Sequence, residues 1–149
     1  MRVTNAPAPG TGHAADRPVV LYACVHNAGR SVAAKVLTEH YAAGAVEVRS
    51  AGSAPDSSVN AQIAAVLAER GLTTDAEVPT LLTPQVVGAV DVVVTMGCGE
   101  TCPFVAGKRY LDWVIDDPAG QDRDTVRRIV DEIDGRVRAL LDELGVARH

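Results

Sequence analysis

Aromatic side chains are scarce in this sequence: Phe, Trp and Tyr together are 3% of 149 residues. So few rings exclude a stacking platform for single-stranded nucleic acid. The net charge of −5 also argues against a polyanionic partner or an anionic membrane surface. No apolar run approaches the roughly 20 residues of a membrane span. The start of the chain lacks the basic stretch and long apolar core of a signal peptide. A cytoplasmic location is the expectation. Cysteine is sparse and odd in number, at Cys24, Cys98 and Cys102. Three thiols do not make a secreted disulfide framework. In a reducing compartment they are expected to be catalytic, metal-binding or buried. A chain of this length holds one domain with an adequate core, and a monomer is the default.

Residues 1–17 are rich in Ala, Pro, Gly and Thr and show no periodicity. They read as a flexible tail, leaving 18–149 as the single folded domain. Pro18 to Val25 is apolar on both faces, as a central parallel strand should be. Residues 30–42 read as a helix closed near Gly44, and Val46 to Ser50 alternates as a short strand. Ser57 or Ser58 is the expected cap of a helix running to Arg70. Thr83-Pro84 has the pattern of a helix start. Asp91 to Met96 is a further buried strand, and Leu111 to Ile115 a last strand or extended piece. From Asp122 or Asp124 to Leu144, apolar residues recur at three- and four-residue steps, which predicts a long amphipathic helix. This alternation predicts an α/β fold, a three-layer sandwich around a central, mainly parallel four-stranded sheet. Ligands of such sheets bind beyond the carboxyl ends of the strands.

Cys24 falls at such an end. Five residues (Val25, His26, Asn27, Ala28 and Gly29) separate it from Arg30 and Ser31, which open the helix. A helix N-terminus offers unpaired N–H groups and a positive dipole end. That field favours a bound oxyanion and a nucleophilic thiolate. Gly29 gives the loop backbone freedom, and Asn27 tolerates a left-handed backbone. Arg30 supplies a planar fork for two oxygens of the anion. Ser31 can donate to the Cys24 thiolate. The plain alternative is a buried structural cysteine before an ordinary helix. Asp117, in Asp116-Asp117-Pro118, suits a loop at the mouth of the site and supplies an acid for a leaving oxygen; its alternative is a solvated turn. Cys98 and Cys102 follow the strand DVVVTM, with three residues between them. They read as a redox pair, a buried structural pair or a zinc site. Three cysteines with no neighbouring His fall short of zinc's usual four ligands, and no metal or cofactor is expected. His26 contributes a backbone N–H or faces water. His13, His40 and His149 have no expected role, and Tyr110 and Trp113 are expected to pack the last strand.

Together, CVHNAGRS, RSAG at 49–52, the Asn60 region, DVVVTM, MGCGETCP and DDPAG resemble the arsenate reductases built on the low-molecular-weight protein tyrosine phosphatase fold. The likeness covers roughly residues 18–145. It implies that Cys24 attacks arsenate held by the amides of residues 25–30 and by Arg30, and that Asp117 protonates the leaving hydroxyl. It implies a Cys24–Cys98 and then a Cys98–Cys102 disulfide, reduced by thioredoxin, with phosphate or sulfate as competing oxyanions. The Cys98/Cys102 pair favours reductase over phosphatase, as does Ala119-Gly120 where those phosphatases tend to carry tyrosines. Two departures stand out. Well-known members space the relay cysteines further apart. Some bind potassium through an Asn, an acidic residue and a Ser; Asn27 and Ser50 match, but Lys35 stands at the acidic position, so no metal is predicted. The alternatives are a low-molecular-weight tyrosine phosphatase, a reductase using a low-molecular-weight thiol with a glutaredoxin-like partner, and a non-catalytic oxyanion sensor.

Overall fold

The structure, a computed structural model, describes residues 17–97 and 103–147. Cys98, Cys102 and nearly all of the expected tail lie outside the described residues. Strand β1 (Val19–Cys24) is buried at every position, as an apolar run without alternation requires. It is flanked by β2 (Glu47–Gly52) and β3 (Val92–Thr95), and β4 (Arg109–Asp112) lies outside β3. The order is β2-β1-β3-β4 and every pairing is parallel. Successive side chains of β1 point to opposite faces. Val20, Tyr22 and Cys24 join a core built with α1 (Arg30–Ala42), α2 (Ala61–Glu69) and α4 (Arg123–Glu143). Val19, Leu21 and Ala23 pack instead with Leu82, Val90 and Val87 of α3 (Pro84–Gly88). The described residues thus form three layers.

The order of strands places the site. From β1 the chain turns to β2 on one side, then crosses to β3 on the other. The switch in direction opens a crevice beyond the carboxyl end of β1. Cys24 is the last residue of β1 and Arg30 the first of α1, so residues 25–29 are the floor of that crevice.

Thr83 caps α3 by accepting from Val86 N–H, with Pro84 at the first helical position, as expected. Asp122 likewise caps α4. The α2 cap differs: Asn60, not Ser57 or Ser58, accepts from Gln62 and Ile63 N–H. The Asn60 N–H is itself fixed by Ala28 O at 2.8 Å, so the loop after β1 sets where the helix starts. The α1 helix ends on Ala43, which takes the left-handed turn ahead of Gly44. The last strand falls earlier than expected, at Arg109–Asp112. Trp113 and Ile115 are buried just beyond it, so the apolar signal belongs to the extended exit from the sheet.

Tyr22 lies in the core, its hydroxyl 2.7 Å from Thr38 Oγ1. Thr38 donates to Ala34 O, so Tyr22 donates to Thr38. Burial pushes the Tyr22 phenol well above its ordinary value, with the Thr38 hydrogen bond acting the other way. The folded state therefore keeps a proton that the unfolded chain releases above about pH 10. This contribution is complete below that pH and is lost as pH rises, by about 1.4 kcal/mol per pH unit. Tyr41, raised by its hydrogen bond to Asp134, adds to the slope. Urea melts between about pH 9 and about pH 11 should show the decline, and Tyr22→Phe should flatten it.

Candidate functional site

The loop after β1 is shaped by where its carbonyls go. Cys24 O accepts from Ser53 N–H, Val25 O from Ala54 N–H, His26 O from Asp56 N–H and Ala28 O from Asn60 N–H, at 2.8–3.2 Å. Gly29 O takes the first helical bond, from Ala33 N–H. In a trans peptide the C=O and the following N–H point in opposite directions, and no described peptide bond is cis. The outward carbonyls therefore turn the N–H groups of Val25, His26, Asn27, Gly29 and Arg30 to the inner side. Successive amides facing one concavity form an anion-binding nest. Gly29, at the head of α1, provides no side-chain cap, which leaves the first amides of the helix open to a ligand.

Cys24 is 2% exposed, and its Sγ lies 3.0 Å from Ser31 Oγ. Asn27 fixes which way that bond runs. Its Oδ1 accepts from Thr80 N–H at 2.8 Å and its Nδ2 donates to Ser31 Oγ at 2.8 Å. With one lone pair of Ser31 taken, the hydroxyl hydrogen is available for the sulfur. The backbone of Asn27 is left-handed, φ 48°, a conformation Asn adopts at little cost. Gly52 matters for a different reason: a Cβ there would lie 2.5 Å from Val25 O and 2.8 Å from Asn27 N. Asn27→Ala should lower stability by about 2–4 kcal/mol, since it orphans the Thr80 N–H and the buried Ser31 hydroxyl and strains the backbone. It should also slow alkylation of Cys24 by iodoacetamide about tenfold, because Ser31 is no longer aimed at the sulfur. Urea melting and labelling kinetics read the two effects separately.

Arg30 extends from α1 across the crevice. Its Nη1 donates to Ile115 O at 3.0 Å, and its Nη2 lies 3.8 Å from Asp117 Oδ2. The other Asp117 oxygen accepts from Ala119 N–H, so the carboxylate is held over the cavity mouth while half exposed. Cys24, His26, Ala28, Gly29, Arg30 and Asp117 line one small cavity of about 30 Å³. Asp116 does not line it. The role expected of Gly29 changes. Its φ is −129°, and what demands glycine is Pro118, whose Cγ would lie 2.8 Å from a Cβ. That contact brings the Asp117-Pro118 turn down onto the loop.

Residues the sequence did not single out complete the site. Asp56 lines the cavity with its Oδ1 3.3 Å from His26 Nδ1, and Ala54 O accepts from that nitrogen. A carbonyl oxygen can only accept, so in this bond the proton sits on Nδ1. Ile115 O and Gly97 hold Arg30. A Pro-Asp-Ser-Ser turn after RSAG was the only local signal for Asp56. Lys35 Nζ pairs with Glu77 at 3.0 Å and Glu39 at 3.1 Å. Burial acts to lower this ammonium, but the two carboxylates outweigh it and hold it above the ordinary lysine range.

A buried thiol at the foot of an amide nest, with an arginine fork and a carboxylate at the mouth, can attack a tetrahedral oxyanion and protonate what leaves. The profile of the family described as low molecular weight phosphotyrosine protein phosphatase matches residues 19–148. The chain belongs to this family. A curated Halobacterium salinarum protein, provisionally named arsenate reductase, is 32% identical over 127 residues, 82% of this chain and 89% of that protein. The thioredoxin-dependent arsenate reductase of Corynebacterium glutamicum superposes with a TM-score of 0.78 at 46% identity. The match covers 89% of this chain but 64% of that one, so this chain spans less than two thirds of its length. An arsenate reductase from Archaeoglobus fulgidus superposes with a TM-score of 0.70 at 33% identity, over 83% of this chain and 98% of the other. No helix among the described residues is long and apolar enough to cross a membrane.

Proposed function

We propose that this protein reduces arsenate to arsenite through Cys24 and that thioredoxin returns it to the reduced state. The observation that carries the reading is the meeting of the Cys24 thiol, the inward amides, Arg30 and Asp117 at one cavity sized for a small anion. The names of its relatives supply arsenate and thioredoxin, and phosphate and sulfate are the expected competitors. On this reading residues 18–149 are the catalytic domain.

The amides and Arg30 hold three oxygens of the anion while the Cys24 thiolate approaches arsenic opposite the fourth, the departing hydroxyl. Asp117 gives a proton to the departing hydroxyl, which leaves as water, and a sulfur–arsenic(V) bond forms. The Cys98 thiolate then attacks Cys24 Sγ. The sulfur–arsenic bond breaks with its electron pair moving to arsenic, which leaves as arsenite. Two electrons pass to arsenic, and two thiols become the Cys24–Cys98 disulfide. Cys102 attacks Cys98, freeing Cys24 as a thiolate that Ser31 stabilises. A thioredoxin dithiol reduces the resulting Cys98–Cys102 bond.

The test is oxidation of NADPH by the full chain with thioredoxin and thioredoxin reductase, with and without arsenate. Both arsenate and thioredoxin should be required. Glutathione with a glutaredoxin replacing thioredoxin at equal rate would assign the other reductant. Faster hydrolysis of p-nitrophenyl phosphate than reduction of arsenate would make the protein a phosphatase.

A further inference from the structure

We infer that Gly97 is a positioning residue for Arg30, its missing side chain being the seat of the guanidinium. The inference rests on the oxyanion-site reading above and adds a residue to it. Gly97 follows β3 with φ +88°. A Cβ built on it would lie 2.6 Å from Arg30 Nη1 and 3.0 Å from both Cζ and Nη2. Two nitrogens and the carbon between them, all within 3.0 Å, mean that the terminal edge of the planar group abuts the glycine. A methyl there must displace the group as a whole.

The guanidinium has nowhere cheap to go. The Arg30 side chain is 9% exposed, its Nη1 is tied to Ile115 O, and its Nη2 faces Asp117. Gly97 against its terminal edge, Ile115 O on Nη1 and Asp117 near Nη2 set the plane of the fork. That plane decides whether two N–H groups meet two oxygens of the anion at once, and bidentate geometry is where arginine gains over a point charge. Any side chain at 97 therefore acts on the anion through Arg30 and touches no substrate itself.

Gly107 supplies the control. Its φ is +89° and a Cβ there meets nothing within 4 Å. Gly107→Ala carries the same backbone strain without the clash. Arg30→Lys supplies the converse, because a lysine ammonium lacks the broad two-nitrogen edge that abuts position 97.

The experiment measures how inorganic phosphate protects Cys24 from iodoacetamide in the full chain carrying Cys98→Ser and Cys102→Ser. No turnover or reductant is involved. Gly97→Ala should weaken phosphate about tenfold to a hundredfold, the range of a charge-assisted bidentate contact. Gly107→Ala should change it less than about threefold. With Arg30→Lys already present, adding Gly97→Ala should cost less than about threefold further. Equal losses from Gly97→Ala with and without Arg30→Lys would overturn the inference, as would unchanged protection in Gly97→Ala. If Gly97→Ala alone does not fold, folding of the double variant with Arg30→Lys supports it, and failure of both overturns it. No protection by phosphate in the parent protein would overturn the oxyanion-site reading itself, and this inference with it.

Discussion

Cys24→Ser is expected to lower arsenate reduction at least about ten-thousand-fold while leaving the fold and the anion site in place. Three steps use that sulfur. A serine hydroxyl is not ionised near neutral pH and attacks poorly. An oxygen–arsenic bond carries no sulfur for Cys98 to attack, and oxygen cannot enter a disulfide. Binding is carried by other groups, the inward amides and Arg30, so calorimetric titration with phosphate should change by less than about threefold. Melting should move little, because serine is close in size and Ser31 Oγ, 3.0 Å from Cys24 Sγ, can accept from the new hydroxyl. Loss of both anion binding and turnover would point to collapse of the loop.

The second large effect separates the two downstream thiols. Cys98→Ser should stop the reaction at the Cys24–arsenic adduct and release no arsenite, because no thiolate arrives to take the Cys24 sulfur. Cys102→Ser should release about one arsenite per protein and then stall, with Cys24 locked to Cys98. The wild type without thioredoxin should also stop near one arsenite, but with Cys24 free. Arsenite counted per protein, with and without thioredoxin, distinguishes these cases. Cycling of Cys102→Ser at the wild-type rate would show that the third thiol is not part of the relay.

What the sequence shows of this site is its local half. The unbroken apolar run of β1 and the helix-opening Arg30-Ser31 follow from neighbours in the chain, and so does the Thr83-Pro84 start of α3. Local pattern fails where tertiary contact decides. Ser57, Ser58 and Asn60 are all good caps, and the choice falls on Asn60, whose N–H is held by Ala28 O. The β4 edge strand is more exposed than the Trp113 and Ile115 that follow it, so apolarity marks the wrong residues. The anchors of Arg30 are 67 and 85 residues away in the chain, at Gly97 and Ile115, and no periodicity announces them. Gly29 was legible as a necessary glycine, but its reason, the close approach of Pro118, needed the fold. Cys98 and Cys102 lie outside the described residues, so their part in the site rests on the sequence and on thiol chemistry.

The most direct measurement is disulfide mapping by mass spectrometry in Cys102→Ser after one equivalent of arsenate. The account predicts one arsenite released and a Cys24–Cys98 disulfide in the same proportion of molecules. Arsenite released while Cys24 remains a free thiol would contradict it.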